Sequence, residues 1–165
     1  MPDATVICRD IDGNQQQVAV DQLRWRPSAY AIVVKDGAIL LSQEPPGKFG
    51  LPGGGVKLGE LPEEAVIREV WEEAGLVVDQ PRLVACHSNF FIMPTSKKEP
   101  YIQSLLLFYC CNFVDGEVTT ANLPDEDKPF HGDSIWSEVE NLDTLEFAHS
   151  SLDVHQIIKS ALITL

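Results

Sequence analysis

The chain has 165 residues, with 25 acidic and 12 basic side chains and a formal net charge of −13. This length predicts one domain with a core of its own. The negative charge argues against binding to nucleic acid polymers or anionic membranes. We find no signal peptide and no apolar run that could span a bilayer. None of the four cysteines has zinc-site spacing, so we expect free thiols in a reducing cytoplasm.

The first part of the chain predicts a strand pair. Residues 4 to 20 hold two apolar stretches on either side of a turn signal, which is typical of a β-hairpin. Trp25-Arg26-Pro27 follows and is interpreted as the joint to the core. We therefore expect a β-hairpin extension at residues 1–28 and a main domain at residues 29–165. The exposed edge of such a hairpin invites pairing, and a homodimer is a further expectation.

A clearer hairpin follows over residues 30 to 41. Its two apolar runs are separated by Asp36-Gly37, which is a strong two-residue turn signal. Residues 42 to 50 contain two prolines and two glycines and are expected to form a loop. The run Leu51-Pro52-Gly53-Gly54-Gly55 comes next. Its glycines allow the backbone to approach a metal ion or a phosphate closely.

A helix is predicted directly after this glycine run. Pro62 suits the first helical position, and Gly75 suits a left-handed C-cap. Leu61 stands at the expected N-cap position, where its side chain cannot accept a backbone hydrogen bond. At 3.6 residues per turn, the carboxylates of this helix share about a third of its circumference; they are Glu69, Glu72 and Glu73.

These carboxylates predict a metal site. Glutamate oxygens are hard ligands that suit Mg2+, with Mn2+ as the alternative. Two carboxylates about 6 Å apart in a cleft repel each other by roughly 3 kcal/mol, so a cation is needed there. Most glutamate-rich helix faces are simply solvated, and the helix alone leaves both interpretations open. Arg68 cannot be a ligand and is interpreted as a fork that orients one of the glutamates.

The second half of the chain predicts further strands and a last helix. We expect a strand at 83–88, a buried strand at 101–111, a short extended stretch from Gly116 and a polar loop at 119–133. A strand end at Ile135-Trp136 and a short helix within 141–147 follow. The final helix is capped by Ser151, and its apolar side extends to Leu165. Strands on either side of a helix indicate a mixed α/β domain.

The segment from residue 54 to 76 is similar to the Nudix box, G-x5-E-x7-R-E-U-x-E-E-x-G-U, in which U is aliphatic. Every fixed position is filled, namely by Gly54, Glu60, Arg68, Glu69, Val70, Glu72, Glu73, Gly75 and Leu76. So many matches are very unlikely to arise by chance. The chain thus resembles the Nudix hydrolase family, closely over residues 51 to 76 and more loosely on either side. The resemblance implies an α/β/α sandwich with a mixed β-sheet.

The resemblance also implies a reaction. Members of the family cleave a nucleoside diphosphate linked to another group, by metal-assisted attack of water at phosphorus. It implies that the carbonyl of Gly53 and the side chains of Glu69, Glu72 and Glu73 bind the metal, and that Arg68 and Glu60 support them. The general base stays open among a box glutamate, Asp133 and Glu126. Each of the last two is expected more readily as a solvated acid.

Some expected substrate contacts also have a simpler structural explanation. The backbone of Gly54 and Gly55 is expected to approach a phosphate. Lys48 would reach a phosphate or serve solubility, and Phe90 would stack on a nucleobase or pack in the core. Arg24 and Arg26 would meet substrate, a second subunit or only solvent. His131 would touch a phosphate or be a bystander, and the second is the expectation.

The substrate class is narrowed by what the sequence lacks. No coenzyme A motif precedes the box. Residues 90 to 93 lack the proline of ADP-ribose enzymes and the tyrosine of diadenosine-polyphosphate enzymes. A nucleoside triphosphate or a small nucleotide sugar is therefore our first choice, as a small-molecule partner and not a nucleic acid polymer. The alternatives are a non-catalytic Nudix module that senses nucleotides or acts as a scaffold, and an isomerase on the same fold.

Overall fold

The computed structural model describes residues 4–10, 12–44, 47–93, 98–125, 127–129, 131–148 and 152–163. Two short 3-10 turns, Val20–Gln22 and Val139–Thr144, accompany the strands and α-helices. The strands and α-helices, in chain order, are β1 (Thr5–Arg9), β2 (Gln15–Ala19), β3 (Arg24–Lys35), β4 (Ala38–Glu44), β5 (Lys48–Gly50), β6 (Gly53–Gly55), α1 (Pro62–Ala74), β7 (Val77–Ile92), β8 (Tyr101–Asp115), β9 (Ser134–Glu138) and α2 (Val154–Leu162).

The strands form a mixed sheet in the order β2-β1-β7-β8-β3-β4-β5, with β6 paired to β3 and β9 paired to β4. The long central pair β3–β8 is parallel, and the pair β7–β8 is antiparallel. Strand β3 changes partner along its length. Its middle residues, 28 to 30, lie antiparallel to β6, whereas Val34 and Lys35 pair with β4 across the predicted Asp36-Gly37 turn. The change of partner opens the sheet beside the glycines of β6.

One helix covers each face of the sheet. Successive strand residues point to opposite faces, and β3 follows this rule. Ala29, Ala31 and Val33 pack in the cluster that contains the buried side of α1. Ile32 packs in the cluster that contains Ile158 and the rest of the buried side of α2. The predicted α/β/α sandwich with a mixed β-sheet is confirmed.

The ends of α1 agree with the sequence prediction. Leu61 is the N-cap residue and makes no side-chain cap, Pro62 is the first helical residue, and Gly75 closes the helix with φ of +70°. The Glu64 carboxylate accepts a 2.9 Å bond from the Leu61 N–H, which satisfies one group at the exposed helix start. The short 3-10 turn Val139–Thr144 takes the place of the helix expected within 141–147.

The cap predicted for the last helix is wrong. Asp153 is the N-cap of α2, and its Oδ1 accepts a 2.9 Å bond from the backbone N–H of Gln156. Ser151 and Leu165 lie outside the described residues. An aspartate immediately before the helix supplies the same acceptor that a serine would supply. The apolar side of α2 is buried as predicted.

Three local predictions are also wrong. Trp25-Arg26-Pro27 is not a joint but part of β3, in register with residues 103–105 of β8. The Pro27 carbonyl accepts a 3.0 Å bond from the Val56 N–H. The loop expected at residues 42–50 contains the end of β4 and all of β5, and the glycine run after it forms β6. The stretch from Gly116 forms no strand in the described chain. The pairing of residues 24 to 33 with β8 joins strands that are distant in sequence, and local turn residues do not reveal it.

The N-terminal hairpin joins the same sheet as the rest of the chain. Strands β1 and β2 pair antiparallel from Thr5–Ala19 to Arg9–Gln15. Arg9 continues the sheet by pairing parallel with Phe91 of β7. The boundary between residues 28 and 29 stays a prediction. Neither α-helix in the described part of the chain has the length and apolar character needed to cross a membrane.

Candidate active site

Arg68 is the centre of a charged cluster on α1. Its Nε and Nη2 donate to the two oxygens of Glu60 at 2.7 and 3.0 Å. Its Nη1 donates to Glu69 at 2.8 Å and to Glu72 at 2.9 Å, and its Nη2 also reaches the Gly55 carbonyl at 3.2 Å. The hydrogen bonds from Arg68 lower the pKa of the Glu60 carboxyl. The fork therefore orients three glutamates, where the sequence predicted one.

Glu73 points inward from α1 and is only 5% exposed. Its Oε2 accepts a bond from the Ser42 hydroxyl and another from the Gly53 N–H, both at 3.2 Å. Burial, and next the charge of Glu69, raise the pKa of the Glu73 carboxyl well above its usual range. Burial likewise raises the pKa of Glu69. The site is therefore short of positive charge when it holds only protein groups.

Strand β6 runs against the acidic face of α1. An ideal Cβ on Gly54 would lie 2.7 Å from an oxygen of Glu69, so a larger residue would displace that carboxylate. The Gly53 N–H already contacts Glu73. The part predicted for the Gly53 carbonyl as a metal ligand stays a prediction. The glycine run thus brings backbone groups and carboxylates together at the change of partner in β3.

The carboxylates open into a cleft with a volume of about 360 Å³. Acidic groups outnumber basic groups among the side chains that line it. The acidic ones are Glu44, Glu69, Glu72, Glu73 and Asp127, and the basic ones are Arg26, Lys57 and Arg68, with Tyr30 and His131 beside them. Burial raises the pKa of the Glu44 carboxyl as well. An acidic cleft of this kind attracts cations and repels a free anion.

The donor chemistry of the cleft fits a divalent cation. Several carboxylates, some of them buried, face one space together with backbone groups of β6, and such oxygen donors suit Mg2+ or Mn2+. Among the residues that the structure describes, no three acidic, histidine or cysteine side chains already stand in a metal-holding arrangement. Nη1 of Arg68 instead bonds one oxygen each of Glu69 and Glu72.

Two predicted substrate residues lie elsewhere. The ammonium group of Lys48 is 3.5 Å from Glu146. Phe90 is half-buried on β7 opposite Gln103. Neither is among the described residues that line the cleft, whereas Gly54 and Gly55 are. Substrate binding by Lys48 and Phe90 stays a prediction without support from this geometry.

The candidates for a general base are placed differently from one another. Asp133 is exposed and does not line the carboxylate cleft in the described chain, and Glu126 lies outside the described residues. His131, which the sequence suggested to be a bystander, has its Nδ1 at 3.7 Å from Glu73. That nitrogen is buried and has no hydrogen-bond partner among the described residues. His155, in contrast, contacts the carbonyls of residues 142 and 145 away from the cleft.

Sequence reasoning missed the strand residues of the site. Ser42 and Glu44 lie on β4, and Tyr30 lies on β3, where burial raises its pKa to about 12. Arg26 was named only as one of several possibilities. The available signal was the alternation along β3, which places Arg26, Ser28 and Tyr30 on one face. That signal does not say which other elements the face meets.

Comparisons with known proteins agree with the box and the fold. The NUDIX domain family matches residues 24–155, so the chain belongs to this family. The chain is 30% identical over 125 residues to an NAD-capped RNA hydrolase NudC from Stutzerimonas stutzeri, covering 74% of this chain and 40% of the relative. It is 30% identical over 125 residues to an ADP-ribose pyrophosphatase from Methanocaldococcus jannaschii, covering 73% and 66%. The chain spans less than two thirds of either relative.

Solved structures share the architecture. A NUDIX hydrolase from Nitrosomonas europaea superposes with a TM-score of 0.66 at 19% identity, over 86% of this chain and 90% of that one. A mutator MutT protein from Bacillus halodurans superposes with a TM-score of 0.64 at 26% identity, over 83% and 82%. The first likeness concerns the fold alone. Together they place the described sheet and helices within the architecture of the family.

Proposed function

We propose that the protein is a metal-dependent pyrophosphohydrolase that cleaves a diphosphate linkage in a nucleotide derivative by attack of water at phosphorus. The observation that carries this proposal is the Arg68 cluster, which holds Glu60, Glu69 and Glu72 beside the buried Glu73. A site without function gains nothing from keeping these carboxylates together, because their mutual repulsion is unfavourable.

Glu69, Glu72, Glu73 and the Gly53 carbonyl would hold the cation, for which we propose Mg2+, with Mn2+ as a substitute. When bound, a divalent cation would neutralise phosphate charge and make water a stronger nucleophile. The protein supplies orientation. Arg68 keeps one oxygen each of Glu69 and Glu72 fixed, and β6 offers backbone close to the phosphates.

We propose two residues as candidates for proton transfer. Glu73 is held by Ser42 and Gly53 and resists losing its proton, so it is suited to accept one when the cation is absent and to bind the cation when it is present. His131 presents a buried nitrogen toward Glu73. Asp133 and Glu126 remain as alternatives from the sequence. The reaction needs one of these groups to take the proton of the attacking water.

The chemistry shared by the relatives supports a substrate class. An ADP-ribose pyrophosphatase and an NAD-capped RNA hydrolase are named for substrates with a diphosphate next to a nucleoside. We propose a small molecule with this linkage. A nucleoside triphosphate or nucleotide sugar remains our first choice, because residues 90 to 93 lack the subfamily residues. The net charge of −13 disfavours a polymer, and capped RNA belongs in the test for that reason.

The test is a release assay for phosphate and pyrophosphate, run with Mg2+ and with EDTA. The panel holds nucleoside triphosphates, nucleotide sugars, ADP-ribose, dinucleoside polyphosphates and NAD-capped RNA. Metal-dependent turnover of one class supports the proposal and identifies the substrate. No turnover of any class, with Mg2+ binding intact by calorimetry, would favour a nucleotide-sensing or scaffold module instead.

A further inference from the structure

Three lysine or arginine side chains line the cleft in the described chain, and two of them already face carboxylates. Arg68 is bonded to Glu60, Glu69 and Glu72. The Lys57 ammonium lies 3.8 Å from Glu72 and its side chain is 63% exposed. A substrate diphosphate would have to compete with carboxylates for either of them. The acidic walls also repel a diphosphate, so a cation that is not committed to an acid has particular value here.

Arg26 is such a cation. Its Nη1 donates a 2.7 Å bond to the hydroxyl of Ser28, which is a neutral partner. Within the described chain, no carboxylate lies at ion-pair distance from its guanidinium. Yet the side chain is half-buried and lines the same cleft as the glutamates. A half-buried guanidinium held only by a hydroxyl keeps most of its donors for a ligand.

The support beneath Arg26 is built from buried groups. Ser28 and Ser104 are fully buried, and their hydroxyl oxygens are 3.4 Å apart. The Ser104 hydroxyl donates a 2.7 Å bond to the Arg26 carbonyl. Buried hydroxyls need partners, and here they satisfy one another while one of them fixes the guanidinium. The orientation of Arg26 is therefore set before any ligand arrives.

Strand β6 separates Arg26 from the acidic side of the cleft. An ideal Cβ on Gly55 would lie 2.8 Å from Nη2 of Arg26, whereas one on Gly54 would meet Glu69. Adjacent residues of a strand point to opposite faces, so the guanidinium and the carboxylate flank the same backbone. An extended diphosphate in this cleft can contact both sides of β6.

We propose that Arg26 binds the substrate phosphate that lies farther from the metal-binding glutamates, and that Ser28 is its positioning residue. The assignment rests on the proposed function, because it requires a diphosphate substrate. A guanidinium suits this task through two parallel N–H bonds to phosphate oxygens, which a lysine cannot reproduce.

Calorimetry with α,β-methylene-ADP in Mg2+ tests the assignment without turnover. Arg26→Gln should weaken binding by about tenfold to a hundredfold, as expected for a charge-assisted bond, and Arg26→Lys should lie between. Arg24→Gln is the matched control. Arg24 lies on the same strand as Arg26 and on the same face of it. It pairs with Glu99 at 3.9 Å and does not line the cleft, so its replacement should leave the dissociation constant of the analogue unchanged.

A double-mutant cycle tests the positioning role of Ser28. Ser28→Ala should weaken binding of the analogue when Arg26 is present and have no effect in the Arg26→Gln background. Equal weakening in both backgrounds would overturn the positioning role, because Ser28 would then act on the fold or on another contact. Thermal melting of each variant identifies any loss of folded protein.

The outcomes separate this assignment from the proposed function. If wild type binds the analogue and folded Arg26→Gln binds it equally well, the Arg26 assignment is wrong while the hydrolase proposal stands. Weaker binding of Mg2+ alone by Arg26→Gln would also overturn it, since Arg26 would then act through the metal site. If wild type does not bind the analogue and turns over nothing in the release panel, the proposed function fails and the assignment fails with it.

Discussion

The two helices cover opposite faces of one sheet but differ in what they pack. Beneath α1 lie small residues of β3, namely Ala29 and Ala31. Beneath α2 lie larger residues, such as Ile32 and Phe108. Small residues let a helix approach a sheet closely, and the carboxylate of Glu73 accordingly reaches the strands. The residues beneath α1 therefore leave room for the candidate site, whereas those beneath α2 fill a densely packed core.

The largest expected effect comes from the acid buried in the α1 layer. Partners of metal ligands typically contribute about 10- to 100-fold to activity or affinity, so removal of a proposed ligand by Glu73→Gln should lower kcat about 100-fold or more. The control is Glu64→Gln, an exposed change on the same helix that keeps the oxygen facing the Leu61 N–H. Activity of Glu73→Gln within a few-fold of wild type would contradict the metal site.

The same carboxylate predicts an unusual pH dependence for the metal-free protein. Burial raises the folded-state pKa of Glu73 above the ordinary 4.5, so the folded state holds this proton more tightly than the unfolded state. Stability should therefore increase as the pH falls through the folded pKa toward 4.5, and it should be lost as the pH rises again. Glu44 and Glu69 act in the same direction.

Calorimetric melting in EDTA between about pH 8 and pH 5 measures this dependence. We expect the melting temperature of wild type to rise toward acid and the rise to be smaller in Glu73→Gln, whose amide cannot titrate. If the melting temperature of wild type stayed constant or fell toward acid, the ionised carboxylates beside α1 would not be destabilising the folded protein.

Two core substitutions distinguish the two layers. Ala31→Val adds volume beneath α1 and should cost about 1–3 kcal/mol of unfolding free energy. Ile158→Val removes one methylene from the buried side of α2 and should cost about 0.5–1.5 kcal/mol. Only the first should also lower kcat of the folded enzyme, because it moves α1 away from β6. Urea unfolding and steady-state kinetics measure both, and equal kcat in the two variants would refute the contrast.

The smallest effects concern the helix starts. Leu61 is exposed and gives α1 no side-chain cap, whereas Asp153 caps α2. Leu61→Ser should raise the unfolding free energy by about 0.5–1 kcal/mol, and Asp153→Ala should lower it by about 1 kcal/mol. Urea unfolding measures both changes. No gain from Leu61→Ser would mean that the Glu64 bond to the Leu61 N–H already suffices.

Local chemistry made much of α1 predictable. Its first residue, its glycine stop and the common face of its glutamates depend on spacing within one helix, and the structure agrees with each. The Asp36-Gly37 turn is predictable for the same reason, since few residues adopt positive φ and both of these do. The identity of the family followed from the same short segment.

Strand partners could not be predicted in this way. Trp25-Arg26-Pro27 looks like a break when it is considered alone, yet β8 pairs with it in parallel. The same pairing supplies Ser104 beneath Arg26. Alternation indicates which residues of a strand share a face, but it does not say which strand becomes the neighbour.

The sequence by itself thus determined the acidic helix, its ends and the glycine run, because these depend on residues within a few positions of one another. The tertiary structure alone decided that Ser42, Glu44 and His131 meet Glu73, and that Arg26 faces the same cleft. The physical reason is that these contacts arise from long-range packing of strands and a loop, whose partners are chosen by the burial of the whole sheet and not by local spacing.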